Sequence, residues 1–167
     1  CLINMDEIEE AIIFIKDVEK KYYLHPSDYN NIGWRLYEKR LKLDYSAELF
    51  QKAIKGDPTL LAAWKNLQCV LGELEKVEDG LKISDEAITY FPNDPGIIMN
   101  KSKFLFFSGN IRDCASYLIQ EFSKMFGGGM PRSQIEEMIN QSFFNAGIKD
   151  IESFETIFRK MVTQSKK

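Results

Sequence analysis

Residues 5–20 carry an apolar stripe, Ile8, Ala11, Ile12, Ile15 and Val18, with Glu7, Glu9, Glu10, Lys16 and Lys20 on the opposite side. Intervals of three and four put such residues on one face of an α-helix. Near the other end, Gly127-Gly128-Gly129 breaks the chain, and Pro131 suits the first turn of a new helix. Two more helical patterns follow, Ile135, Met138, Ile139, Phe143 and then Ile151, Phe154, Ile157, Phe158, Met161, joined around Ala146-Gly147. Together with the segments between, the pattern predicts an all-α chain of about nine helices and no strands.

The middle of the chain repeats itself. Ala63-Trp64-Lys65-Asn66-Leu67 follows the order of Asp28-Tyr29-Asn30-Asn31-Ile32: aromatic, polar, Asn, aliphatic. Phe50-Gln51-Lys52-Ala53-Ile54-Lys55-Gly56-Asp57-Pro58 is echoed by Ser84-Asp85-Glu86-Ala87-Ile88-Thr89-Tyr90-Phe91-Pro92, with Ala53/Ala87 and Pro58/Pro92 each 34 residues apart. A fixed period of this length marks stacked antiparallel helix pairs, because one pair cannot bury its apolar face alone.

With this period and these residues, the chain resembles the tetratricopeptide repeat (TPR) family, whose pattern sets Trp, Leu, Gly, Tyr, Ala, Phe, Ala and Pro at fixed places. The unit 59–92 has Trp64, Leu67, Leu71, Gly80, Ala87 and Pro92, with Gln68 in place of the family glycine and Ser84 in place of the aromatic. The unit 27–58 has Tyr29, Ile32, Gly33, Leu36, Phe50, Ala53 and Pro58, with one extra residue in its turn near Lys42–Asp44. The unit 93–126 continues in phase with Ile98, Leu105, Gly109, Ile111 and Leu118, but has Glu121 at a small-residue position. The resemblance implies a right-handed superhelix of three TPR units. Residues 1–26 are then expected to form an N-terminal capping helix, and 127–167 a glycine linker and a degenerate helical hairpin. The Gly33 and Ala53/Ala87 positions are expected where paired helices cross closely, and the prolines where the second helix stops.

By the same resemblance, the first helix of each unit lines a concave groove. The residues placed there are Asn30, Asn31, Trp34 and Tyr37 in the first unit, then Lys65, Asn66, Cys69 and Glu73 in the second. The third contributes Met99, Asn100, Lys103, Phe106 and Phe107. Asn31, Asn66 and Asn100 share one position in successive units. In related proteins an asparagine there bonds the main chain of an extended peptide, and an amide can both donate and accept; the alternative is a bond to a neighbouring helix. Trp34, Met99, Phe106 and Phe107 read as apolar pockets in the groove or as packing between units. The resemblance stops short of the clamp that holds acidic chaperone tails: Lys65 and Asn100 match, but Cys69 replaces an Asn and the last cations fall in the broken region at Gly129–Arg132.

Composition narrows the function classes. A net charge of −3, from interspersed basic and acidic residues, is not the footprint of a nucleic-acid binder. Cys1, Cys69 and Cys114 have no metal-ligand spacing, and a single His makes a zinc site implausible. His25 has no catalytic partner at readable spacing, and Gly127–Gly129 lacks the Lys-Ser/Thr that would make a P-loop. No apolar run is long enough for a membrane span. These readings point to a non-catalytic, cofactor-free, cytoplasmic adaptor or scaffold that binds a protein or peptide. The alternatives are the recognition domain of a larger enzyme such as a glycosyltransferase, and a self-associating module that stacks through Ile12, Ile15 or Phe154, Phe158. The non-Met start reads as excision from a longer protein, or alternatively as an acylated Cys1 of a lipoprotein.

Overall fold

The computed structural model describes residues 5–126 and Glu137; the expected linker and closing hairpin of 127–167 lie outside the described residues. Within them the chain is seven α-helices in succession: α1 Met5–Lys21, α2 Pro26–Glu38, α3 Leu43–Gly56, α4 Leu61–Glu73, α5 Val77–Tyr90, α6 Pro95–Phe107 and α7 Ile111–Phe126. No strand occurs among the described residues. The pairs α2/α3, α4/α5 and α6/α7 pack as hairpins, and α4 also meets α2 and α6, so the first helices of the three units adjoin one another.

The helix ends follow from local chemistry. Pro26 and Pro95 open α2 and α6, where a missing N–H costs nothing. His25 caps α2: its Nδ1 accepts from Ser27 N at 3.3 Å, while its own N–H donates to Asp28 Oδ2 at 3.2 Å. This is a structural task for the only histidine. Pro58 and Pro92 each lie two residues beyond the end of a second helix, α3 and α5. The three hairpin turns close alike, with Leu41 N, Lys76 N and Asn110 N donating to Leu36 O, Leu71 O and Leu105 O at 2.9, 3.0 and 3.1 Å. The residue before each donor is left-handed: Arg40 (φ 53°), Glu75 (φ 56°) and Gly109 (φ 82°). Only the last is the glycine that this cap favours. The extra residue of the first turn is absorbed by a second left-handed position, Lys42 (φ 49°).

Inside the hairpins, one position recurs with different solutions. In the first unit a Cβ on Gly33 would come within 2.9 Å of the Phe50 ring, so glycine lets the ring seat against α2. In the second unit the sizes are exchanged: Gln68, on α4, donates to Ser84 Oγ at 2.8 Å, and both are fully buried. The two departures from the family pattern are therefore partners. Gly80 makes room for the next unit, since a Cβ there would lie 2.2 Å from the Phe104 ring. Ser46 Oγ and Cys114 Sγ, at equivalent places on α3 and α7, donate to the carbonyls of Gly33 (2.7 Å) and Ser102 (3.1 Å). Burial pushes the Cys114 thiol up to about 12, which keeps it a donor.

α1 shares part of the repeat's spacing. It ends at Lys21, 35 residues before the end of α3, as α3 ends 34 before α5. Glu9 pairs with Lys42 as Asp44, one unit on, pairs with Lys76 at 2.6 Å. Ile8 and Ile12 are buried against Tyr45 and Leu49 of α3. α1 thus meets α3 through Ile8, Ile12 and the Glu9–Lys42 pair, at a spacing close to the repeat's. Ala11, equivalent to the buried Ser46 and Gly80, is exposed, as are Ile13 (60%) and Phe14 (70%).

Candidate functional site

α2, α4 and α6 each contribute to one open cleft of about 520 Å³. Tyr37 and Arg40 form one side, Cys69, Gly72 and Glu73 the floor, and Asn100, Lys103 and Phe107 the other side. The Trp34 ring packs on Tyr37 at 5.5 Å and continues that wall outward, 40% exposed. Phe107 is 52% exposed and meets the Phe106 ring edge-on at 6.0 Å. Exposed aromatics at two ends of a concave surface are rigid, amphipathic contact area.

The cleft is wired across units. Tyr37 Oη donates to Glu73 Oε1 at 3.0 Å, and Arg40 Nη1 lies 3.3 Å from Glu73 Oε2. Burial, then nearby Cys69 and the bond to Glu73, push the Tyr37 phenol up, so it stays a donor. Asn100 Nδ2 donates to Gln68 Oε1 at 3.0 Å, joining the cleft to the buried Gln68–Ser84 pair. Away from the cleft lining, Asn66 Nδ2 donates to Asn30 Oδ1 at 3.0 Å. Asn66 and Asn100 thus each hold a neighbouring unit by donating one side-chain N–H. It is Asn30, not Asn31, that meets Asn66; Asn31 is exposed on α2.

The remaining sequence candidates divide between the cleft and other work. Cys69 and Lys103 lie in it. Burial raises the Cys69 thiol, opposed by Lys103, and lowers the Lys103 ammonium, opposed by Cys69. Lys65 instead binds Asp94, its Nζ 2.9 Å from the carboxylate that caps α6 by accepting from Ile97 N. Met99 is buried, 7% exposed, and packs inside instead of lining the cleft. Arg40 is a cleft residue that helical periodicity misses, because it lies in the turn after α2. Its guanidinium reaches Glu73 of the next unit. For stacking through α1, the exposed residues are Ile13 and Phe14; Ile12 is buried and Ile15 half-buried.

Among the described residues, no group of three or more His, Cys, Asp or Glu side chains is placed to hold a metal. No helix there is long and apolar enough to cross a membrane.

No protein-family model matches the sequence, and no curated protein matches it. Solved structures do. The chain is similar to the MamA RS-1 ArsTM double mutant, with a TM-score of 0.59 and 13% identity over 94% of this chain and 86% of that one. It is also similar to MamA MSR-1 C2, with a TM-score of 0.54 and 14% identity over 89% and 83%. MamA is a TPR-repeat protein. The chain has a TPR-like helical-repeat fold.

Proposed function

We propose that this chain is an adaptor or scaffold module that binds an extended segment of a partner protein in the groove of α2, α4 and α6. The observation that carries this is the convergence of all three first helices on one open cleft with exposed aromatics at its ends. The amides of Asn66 and Asn100 can both donate and accept, which suits a peptide main chain, whose N–H and C=O alternate as donor and acceptor. Trp34, Phe106 and Phe107 supply apolar anchors. We assign the module no catalytic step and no cofactor, and place it in a reducing, cytoplasmic setting, where the exposed Cys69 and buried Cys114 are both free thiols.

A displayed peptide library selected on the purified chain tests this. Selected peptides are expected to lose at least about tenfold in affinity, roughly 1.4 kcal/mol, on Trp34→Ala plus Phe107→Ala. The change Glu86→Ala, on exposed α5 surface, is expected to leave binding unchanged. Peptides indifferent to the groove variant would move the binding surface elsewhere.

A second reading, self-association, is favoured by the uncovered apolar side of α1, with Ile13 and Phe14 largely exposed. Light scattering is expected to show a mass that rises with concentration and returns to the monomer's on Ile13→Lys plus Phe14→Lys. A mass independent of concentration removes this reading and leaves the groove untouched.

A further inference from the structure

Four lysines are half-buried among the described residues: Lys52, Lys65, Lys101 and Lys103. Three are tied to carboxylates, Lys52 to Glu19 and Glu48 (each 2.9 Å), Lys65 to Asp94 (2.9 Å) and Lys101 to Asp85 (2.7 Å). Lys103 alone among these has no hydrogen bond or ion pair with a described residue. It is also the one that faces the cleft. The carboxylate there, Glu73, is already engaged by Tyr37 and Arg40. Among the described residues the cleft therefore holds two cations and one anion, and the partly desolvated ammonium is the group left over.

Withdrawing an ammonium from water without a partner is unfavourable, and a charge-assisted hydrogen bond offsets this best. We infer that Lys103 is the anchor for a carboxylate of the bound segment, which makes the partner an acidic peptide with an apolar residue beside the acid to pack on Phe107. The inference rests on the groove reading above and specifies its ligand class. Cys69, the group nearest in effect to Lys103, stays a neutral thiol and does not satisfy it. Because burial depresses the Lys103 pKa, acid preference is expected to fade as pH rises through a value below the ordinary lysine range.

The test uses three fluorescein-labelled peptide pools and the full chain, read by anisotropy. One pool alternates Glu/Asp with Leu/Phe, the second has Gln/Asn in place of the acids, and the third has Lys. The acidic pool is expected to bind at least about tenfold tighter than the amide pool, with the gap shrinking at high salt. Lys103→Met is expected to erase the gap and to melt no lower than the parent, since it removes an unpaired charge; Lys103→Arg is expected to keep it. If the preference for acid is lost on C-terminal amidation, the carboxylate is the chain end; if it survives, it is a side chain; both support the anchor. Equal binding of acidic and amide pools, or a gap that survives Lys103→Met, overturns the inference and leaves the groove reading standing. Binding of none of the pools sinks both.

Discussion

Trp64→Ala is expected to cost about 3–5 kcal/mol of stability, the range for truncating a large buried aromatic. Trp64 is 2% exposed and clusters with Ala87 of α5 and Ile97 of α6, flanked by Ile54 of α3. Its Nε1 donates to Pro58 O at 2.8 Å, which fixes the connection between the first and second units. The side chain thus joins all three units at once. Stability in a repeat array is close to a sum of unit and nearest-neighbour terms, so the loss falls on two interfaces together. Against a total of roughly 5–15 kcal/mol for a protein of this kind, urea unfolding followed by circular dichroism should show a much lower and broader midpoint. Trp34→Ala, at a partly exposed site, should move it by no more than about 0.5 kcal/mol. A loss below about 1 kcal/mol for Trp64→Ala would mean that the units are held together elsewhere.

The repeat is legible in the sequence because its strongest constraints are local and recur. Small residues where helices cross, prolines past the second helix and an aromatic at the fourth place of α2 and α4 (Tyr29, Trp64) recur at nearly one period. The nature of α1 is not legible that way. It carries the stripe of any amphipathic helix, and its likeness in spacing to α3 shows only in pairings such as Glu9–Lys42 and Asp44–Lys76 that span 33 and 32 residues. The cleft is half-legible. Helical phase brings Tyr37, Cys69, Glu73, Asn100, Lys103 and Phe107 to one side, but it cannot say that Met99 turns inward or that Lys65 is claimed by Asp94. Nor can it foresee Arg40, whose position depends on a left-handed turn at a residue that does not favour one. Periodicity reports the direction in which a side chain leaves its helix; which charge it meets is decided by the adjoining unit.

Gln68 and Ser84 carry that argument furthest, because each on its own reads as a blemish in the pattern. The structure predicts that they can be exchanged only together. Ser84→Phe alone forces a ring into the space of Gln68 and strips the buried amide of its acceptor, costing about 1–3 kcal/mol for overpacking and a similar amount for the orphaned group. Gln68→Gly alone leaves a void and a glycine within α4, the latter worth about 1 kcal/mol by itself, and it removes the acceptor of Asn100. The double variant rebuilds the arrangement already present one unit earlier, where the Phe50 ring seats on Gly33. A double-mutant cycle by urea denaturation should therefore show a favourable coupling of about 2 kcal/mol or more, at the upper end for residues in contact. Additive losses would show that the two positions are not size-complementary. The cycle also reaches the groove: once Gln68 is gone, the Asn100 amide loses the bond that orients it at the cleft wall. Stability should thus be regained in the double variant while peptide affinity is not, separating what the buried pair does for the fold from what it does for the site.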